Sequence, residues 1–287
     1  MTIQQAFDFY LPQLNAISST PQLDLEVLLS FILGRSKTFL YTHSEAPLSE
    51  PEQARLRAVV ERRLRQEPVA YIIQEKEFYG RSLRVDSATL IPRPATETLV
   101  TEGLQLLQRY PHSLIADIGT GTGNIIISLT LEHKPSHWHL ATDLSQPALQ
   151  IARYNARAWG INREIRFFLG DLIQPIYHLF LNTPELLLLA NLPYLPTGWK
   201  KKVEPGVHYE PTEALWSGSD GLEHYRRLLR QLSILQLPPV FYLLIEILTE
   251  QKQLLVEELT LSLPQFTCHF VETPEKTVAI GLISRSQ

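Results

Sequence analysis

Apolar positions change their spacing about a quarter of the way along this chain. In the first 74 residues they recur every three or four positions, the period of a helix with one buried stripe. The stretch 21–33 carries leucines at that spacing and stops at Gly34, which predicts a helix with a glycine terminator. Ser49-Glu-Pro-Glu predicts the start of another: Ser49 serves as N-cap, Pro51 suits the first turn, and Glu50 and Glu52 suit the helix dipole. Leu56, Val60 and Leu64 form its apolar stripe, with Arg55, Arg57, Arg62, Arg63 and Arg65 mostly off it. Those arginines read as a solvated face or as a docking face for an acidic or RNA-bound partner. Glu67-Pro68 ends the helical part. Apolar residues then alternate around Gly80 between Glu77 and Val85, the mark of a hairpin. Leu90-Ile-Pro-Arg-Pro94 follows, an extended segment fixed by its prolines.

Beyond it, short unbroken apolar runs alternate with helical patterns. Helices are expected at 96–108, from Asn124, and at 146–159, 222–235 and 250–261. Strands are expected at 114–118, 138–141, 165–169, 185–190 and 240–247, with 266–271 and 277–283 as a closing antiparallel pair. This alternation predicts an α/β fold with a mostly parallel sheet. The expected organisation is a helical domain over 1–74, a hairpin linker over 75–91 and an α/β domain over 92–287.

The candidate chemistry falls at the ends of the predicted strands. Strand 114–118 runs into Gly119-Thr-Gly-Thr-Gly123 and then a helix. Glycines let the backbone approach a ligand, and successive strand ends share one edge of the sheet. Asp117 precedes the glycines, where a carboxylate suits a cation better than a phosphate. Asp143 closes the next strand and is placed to take two ribose hydroxyls. Asp171 follows the third, suited to an adenine amino group with Leu172 against the ring. Nicotinamide-dependent enzymes share part of this pattern, but their small sixth residue is Asn124 here. A fourth loop, Asn191-Leu-Pro-Tyr194, follows strand 185–190. It offers the Asn191 side-chain oxygen and the Leu192 carbonyl as two acceptors. Pro193 stiffens the turn, and Tyr194 gives a ring for a flat substrate group. Two acceptors match the two N–H donors of a planar amide or amine nitrogen.

Composition narrows the picture. A net charge of −4 over 287 residues gives no electrostatic case for broad nucleic-acid binding. The single cysteine, Cys268, excludes an intramolecular disulfide and is expected in a buried strand. Histidines 43, 133, 137 and 139 lack a metal-ligand spacing, so no metal is expected. The N-terminus lacks the pattern of a signal peptide, and no apolar run reaches membrane-spanning length; a cytoplasmic protein is expected.

The four loops together resemble the class I methyltransferases that use S-adenosylmethionine, in which Asn-x-Pro-Tyr recurs. A closer similarity is carried by Pro68-Val-Ala-Tyr-Ile-Ile, Glu77-Phe-Tyr-Gly, Ala88-Thr-Leu-Ile-Pro-Arg-Pro-Ala-Thr-Glu97 and Asp117-Ile-Gly-Thr-Gly-Thr-Gly123. Tyr209-Glu-Pro-Thr-Glu-Ala-Leu215, Ser217-Gly-Ser-Asp-Gly-Leu-Glu-His-Tyr225 and Leu244-Ile-Glu246 extend it. The chain thereby resembles the peptide chain release factor glutamine methyltransferases over nearly its whole length. The resemblance implies a Rossmann-like class I methyltransferase sheet, with a small N-terminal helical bundle for substrate recognition joined by a β-hairpin linker. It implies methylation of the glutamine of a Gly-Gly-Gln motif in class I release factors, with S-adenosylhomocysteine as the product. Cofactor contacts are then implied for Asp117, Gly119, Thr120, Gly121, Thr122, Gly123, Asp143, Asp171, Leu172 and Asn191. The catalytic tetrapeptide residues are Asn191, Pro193 and Tyr194; Leu192, Arg93 and Glu97 join them around the substrate. A monomer with a protein partner and no direct contact with nucleic acid is expected.

Two positions depart from the family. Leu192 stands where the family usually has a first proline, the form seen in ribosomal RNA adenine dimethyltransferases, and Glu246-Ile-Leu lacks a common glycine. An adenine N6-methyltransferase, a ribosomal-protein glutamine methyltransferase and a binding module without activity are the alternative readings.

Overall fold

The computed structural model describes residues 1–134, 138–180 and 183–285 and resolves into two compact units. The first comprises Met1–Glu75 with Glu204–Tyr209, the second Lys76–Val203 with Glu210–Gln287.

The first unit is helical: α1 (Ile3–Asn15), α2 (Pro21–Leu33), α3 (Lys37–Thr42), α4 (Glu50–Leu64) and α5 (Val69–Ile73). Its core gathers Leu25, Leu28, Leu29, Leu56 and Val60, whose spacing predicted two of the helices, together with Ile3 and Leu14 of α1. Helix α2 ends on Gly34 at φ +61°, the left-handed conformation that glycine adopts without a Cβ penalty. The Ser49 N–H donates to Glu52 Oε2 at 2.7 Å, one arm of a capping box at the start of α4. Two of the five arginines of this region serve the fold: Arg63 pairs with buried Asp24 at 2.7 Å, and Arg62 pairs with Glu67 at 2.5 Å. Arg55, Arg57 and Arg65 are exposed. The segment Glu204–Tyr209 is tied to this unit by the Tyr209 hydroxyl, which donates to the Arg65 carbonyl at 2.8 Å.

The second unit opens at Lys76, inside β1 (Glu75–Phe78), which pairs with β2 (Arg81–Arg84) in a hairpin whose Tyr79 and Gly80 both have positive φ. That pair of angles matches the twist of the flanking strands. There follow α6 (Glu97–Arg109), β3 (Leu114–Ile118), α7 (Asn124–His133), β4 (His139–Asp143), α8 (Gln146–Ala158), β5 (Ile165–Leu169) and β6 (Glu185–Ala190). The chain closes with α9 (Glu223–Ser233), β7 (Val240–Leu248), α10 (Lys252–Ser262), β8 (Phe266–Glu272) and β9 (Val278–Arg285). Seven strands form one sheet in the order β5-β4-β3-β6-β7-β9-β8. Strands β3 to β7 pair in parallel, and β9 runs antiparallel to both its neighbours. Separate apolar clusters cover the two faces, which is why the central strands read as unbroken apolar runs. Cys268 lies in β8 and is only half-buried, because β8 is the edge strand.

Strand order reverses at β3: β4 and β5 extend to one side, β6 and β7 to the other. The crevice at such a switch point, beyond the carboxyl ends of the strands, is where an open α/β sheet takes its ligand. The loops after β3 and β6 border it.

Candidate active site

The loop after β3 is held from both sides. The N–H groups of Gly119 and Thr120 both donate to the Thr142 carbonyl at 2.9 Å, and Gly123 N–H closes the turn on the Thr120 carbonyl at 2.8 Å. Gly119, Gly121 and Gly123 have φ of +72°, +55° and +80°. At Gly119 a Cβ would lie 2.9 Å from Leu192 Cδ2, so this glycine makes room for the buried Leu192 side chain. At Gly121 a Cβ would meet nothing within 4 Å; the loop is open to a ligand there. The Thr122 hydroxyl turns back to Asn124 Oδ1 at 3.1 Å at the mouth of α7.

Asp117 and Asp143 both bond this turn, and Asp171 follows β5. Asp117 is fully buried; its Oδ2 accepts from the Thr120 hydroxyl at 2.6 Å, and its Oδ1 has no hydrogen-bond partner among the described residues. Burial pushes its pKa up to about 7, opposed by the Thr120 bond and aided by the charge of Asp143. A buried, half-satisfied carboxyl group of this kind suits a cationic ligand group. Asp143 is held by two backbone donors, Gly121 N–H on Oδ2 and Ser145 N–H on Oδ1, each at 2.8 Å. Each oxygen keeps lone pairs for a diol. Burial raises its pKa, and those N–H bonds work against the rise. Asp171 is engaged through one oxygen: Arg227 at 2.6 Å and Gln231 at 3.1 Å both hold its Oδ2. Leu172 beside it sits at φ +53° and is packed into the core. A leucine in left-handed backbone costs energy, the sort of local strain that collects at ligand loops.

The loop after β6 is fastened through Asn191, Leu192 and Tyr194. Asn191 Nδ2 donates to the Thr96 hydroxyl at 3.0 Å. Leu192 N–H donates to the Tyr225 hydroxyl at 3.2 Å, and that hydroxyl donates to the Glu246 carbonyl at 2.5 Å. Tyr194 Oη donates to Glu246 Oε1 at 3.0 Å. Gln251 Nε2 reaches the Tyr194 carbonyl and the Asp220 carbonyl, each at 2.8 Å. Pro193 stands half-buried between these bonds. Glu246 is wholly buried at the carboxyl end of β7, and burial raises its pKa against the hydrogen bonds of Thr96, Tyr194 and Asn191. The Tyr194 hydroxyl is pushed well above its ordinary value by burial and by the Glu246 charge, and the Arg93 charge works against that rise.

Arg93 and Glu97 are both engaged within the protein. Arg93 pairs with Glu210, whose Oε2 also accepts from Ile91 N–H at 3.0 Å; this fixes the proline-rich segment. Glu97 Oε1 accepts from Tyr79 N–H at 2.8 Å at the hairpin tip. Sequence reasoning passed over Thr96, Tyr225, Glu246 and Gln251 as site residues. Three of them lie in the stretches quoted above, but nothing local marks their roles; Gln251 carries no signal at all. Among the described residues no group of three histidines, cysteines or carboxylates is placed to hold a metal, and no helix is long and apolar enough to cross a membrane. His137 lies outside the described residues.

Comparison with known proteins adds to this geometry. Residues 5–73 match the family model of the PrmC N-terminal domain. The release factor glutamine methyltransferase of Coxiella burnetii is 37% identical over 80% of this chain and 80% of its own length. That of Xylella fastidiosa strain 9a5c is 39% identical over 72% of this chain and 73% of its own. Among solved structures, the catalytic domain of human METTL16 in complex with an RNA hairpin superposes with a TM-score of 0.57 at 15% identity, over 90% of both chains. The N-terminal domain of human METTL16 in complex with SAH gives 0.53 at 16% identity, over 89% of this chain and 92% of that one. At such identities the likeness concerns the fold. A sheet with its switch point between β3 and β6, the two loops bordering that crevice and relatives that span most of the chain agree: this chain belongs to the release factor glutamine methyltransferase family.

Proposed function

We propose that the protein transfers a methyl group from S-adenosylmethionine to the side-chain amide nitrogen of the glutamine in the Gly-Gly-Gln motif of class I peptide chain release factors. The observation that carries this reading is the fastened loop Asn191-Leu-Pro-Tyr194 beside the glycine-rich turn, on the two sides of the switch point. The residues present fit the cofactor. The orphaned Asp117 Oδ1 suits its ammonium group, the open edge at Gly121 its methionine arm, and the Asp143 oxygens its ribose diol. Gly119, Thr120, Thr122 and Gly123 shape that turn. Asp171 Oδ1 and Leu172 are assigned to the adenine, and Asn191 borders both ligands. When bound, S-adenosylmethionine supplies an electrophilic methyl group on a sulfonium centre.

The chain's own residues do the rest. An amide nitrogen is a poor nucleophile because its lone pair is delocalised into the carbonyl. In this reading Asn191 Oδ1 and the Leu192 carbonyl accept its two N–H bonds and hold the nitrogen in line, a proximity effect. The same two oxygens favour the positive charge that develops on nitrogen. Pro193 keeps the carbonyl in place, and the Tyr194 ring lies against the flat amide. Arg93 borders the substrate, and Glu97 acts at one remove by holding the hairpin tip. The helical first unit is assigned to the body of the release factor. The protein is taken to work as a cytoplasmic monomer; that it does not bind nucleic acid directly is supported by its net charge of −4.

Incubation with labelled S-adenosylmethionine and a purified release factor, followed by peptide mapping, tests this. Label is expected on the glutamine of Gly-Gly-Gln. Asn191→Ala should lower the rate by about two orders of magnitude, as loss of a preorganised contact does. Label on adenine-containing RNA, with the release factor unmodified, would replace this reading with the adenine one.

A further inference from the structure

The turn after β3 carries three glycines at positive φ, so ordering it costs more backbone entropy than ordering most loops. Strand β4 holds its first half: the Thr142 carbonyl takes the N–H groups of Gly119 and Thr120, and Asp143 takes that of Gly121. The second half, Thr122 and Gly123, lies against α8 instead. A Cβ on Gly123 would stand 3.3 Å from Ala152 Cβ. Nearly one turn further along α8, Asn155 Nδ2 donates to the Thr122 carbonyl at 2.9 Å. Residues three apart share a helix face, so Ala152 and Asn155 form one seat for this half of the turn.

The same asparagine also holds β2. Its Oδ1 accepts from Arg84 N–H at 2.8 Å, and its Nδ2 donates to the Arg84 carbonyl at 3.0 Å. The side-chain amide thus pairs with Arg84 as a neighbouring strand would. Its orientation is fixed by its partners, because a backbone N–H only donates and the two carbonyls only accept. Both Nδ2 protons are used, one on the hairpin and one on the turn. Asn155 is 1% exposed, so water cannot replace either bond. The hairpin has other fastenings: Glu97 takes Tyr79 N–H at 2.8 Å, and Trp159 Nε1 donates to the Ser82 carbonyl at 3.0 Å. Neither of those bonds touches the turn, whereas Asn155 bonds both.

We infer that Asn155 is a positioning residue for the cofactor: it fixes the Thr122-Gly123 half of the glycine turn against β2, which makes the hairpin a strut of the cofactor site. This rests on the cofactor assignment proposed above and not on which nitrogen is methylated. In that assignment the turn faces the methionine arm, while Asp143, held also by Ser145 N–H, faces the ribose. Loss of Asn155 is therefore felt by the arm more than by the nucleoside.

The experiment is calorimetry on the full-length protein at pH 8, with S-adenosylhomocysteine and with methylthioadenosine, which keeps the nucleoside but lacks the amino-acid arm. Asn155→Asp sets a carboxylate against the two carbonyls, and Asn155→Ala removes all three bonds. Trp159→Phe loosens the hairpin without touching the turn. Both Asn155 variants should bind S-adenosylhomocysteine about tenfold more weakly, the worth of a buried hydrogen bond, and methylthioadenosine within about threefold of the parent. Trp159→Phe should bind both as the parent does. In the Asn155 variants KM for S-adenosylmethionine should rise, while kcat at saturating cofactor stays within about threefold, because the Asn191 loop keeps its bonds. Equal losses on the two ligands, or the same loss in Trp159→Phe, would make Asn155 a bolt of the fold alone and overturn the inference. So would parental affinity in a folded Asn155→Ala. Hydrogen exchange on the parent needs no variant: S-adenosylhomocysteine should slow exchange at Arg84 in β2 as well as in the turn, and a β2 indifferent to the ligand overturns the inference too. A parent that binds no S-adenosylhomocysteine defeats the cofactor assignment itself, and is seen before any variant is made.

Discussion

At the scale of single residues, the ligand crevice is governed by how each polar atom is left. Asp117 is the sharpest case. Its pKa of about 7 means that below pH 7 the free protein holds a proton there. A cationic ligand group beside Oδ1 favours the ionised form, so binding expels that proton. By linkage, S-adenosylmethionine affinity should rise with pH, by up to about tenfold per unit, until pH 7, and then level off. Calorimetry at pH 6 in buffers of different ionisation enthalpy should register proton release, and Asp117→Asn should abolish both the slope and the release. A flat affinity from pH 5.5 to 8 would remove Asp117 from the cofactor site. The stability of the unliganded protein carries the opposite sign. An unfolded carboxyl group ionises near pH 4 while the folded one stays protonated to about 7, so this residue's contribution falls as pH rises between the two. Leu192 gives a second test. Proline there would keep the carbonyl but lose the N–H bond to Tyr225 and part of a buried side chain packed on Gly119. Leu192→Pro should lose about 1–3 kcal/mol of stability by denaturant titration. Turnover of a Gly-Gly-Gln substrate should remain within about tenfold, because the acceptor is retained. Loss of turnover in a folded variant would show that leucine is tied to another substrate.

At the scale of elements, the Asn191-Leu-Pro-Tyr194 loop is strapped in place by chain segments far from it in sequence. Gly221 shows how tightly: at φ +83°, a Cβ would stand 2.1 Å from the Tyr194 carbonyl and 2.3 Å from Gln251 Nε2. Gly221→Ala should therefore displace the loop, with at least about 1–2 kcal/mol lost to the left-handed backbone alone and a marked fall in methylation. Full activity and an unchanged melting temperature in Gly221→Ala would mean that this strap is slack. These straps also mark the limit of what the chain disclosed as a sequence. The glycine turn, Asp143 at its strand end and the tetrapeptide were legible because each motif is contiguous and its spacing reflects one local backbone form. Tyr225 was not, since on α9 it reads as one more apolar position; only in three dimensions does its hydroxyl reach the backbone of β7 and of Leu192. Gln251 and Thr96 act across gaps of 57 and 95 residues, and a hydrogen bond between remote segments leaves no periodic trace. The engagement of Asp171 by α9 was hidden for the same reason.

At the scale of the whole molecule, the division into two units separates the crevice from the arginines. All four ligand loops belong to the second unit, and Arg55, Arg57, Arg62, Arg63 and Arg65 to the first. The structure sorts those five by task. Arg63 and Arg62 neutralise Asp24 and Glu67 and hold the helical unit together, so replacing them would confuse folding with binding. Arg55, Arg57 and Arg65 are exposed and stand outside those two pairs. If the helical unit receives the body of the release factor, these three charges should steer and hold it, an effect that salt screens. Charge reversal at all three, Arg55→Glu, Arg57→Glu and Arg65→Glu together, should raise KM for the intact factor by about tenfold at low salt, and by less at high salt. The kcat, the S-adenosylmethionine affinity and the turnover of a short Gly-Gly-Gln peptide should not change, because the crevice keeps every contact described above. Steady-state kinetics on factor and peptide side by side separate the two effects. An unchanged KM for the intact factor would make these arginines an ordinary solvated face, and equal losses on factor and peptide would place their influence in the crevice instead.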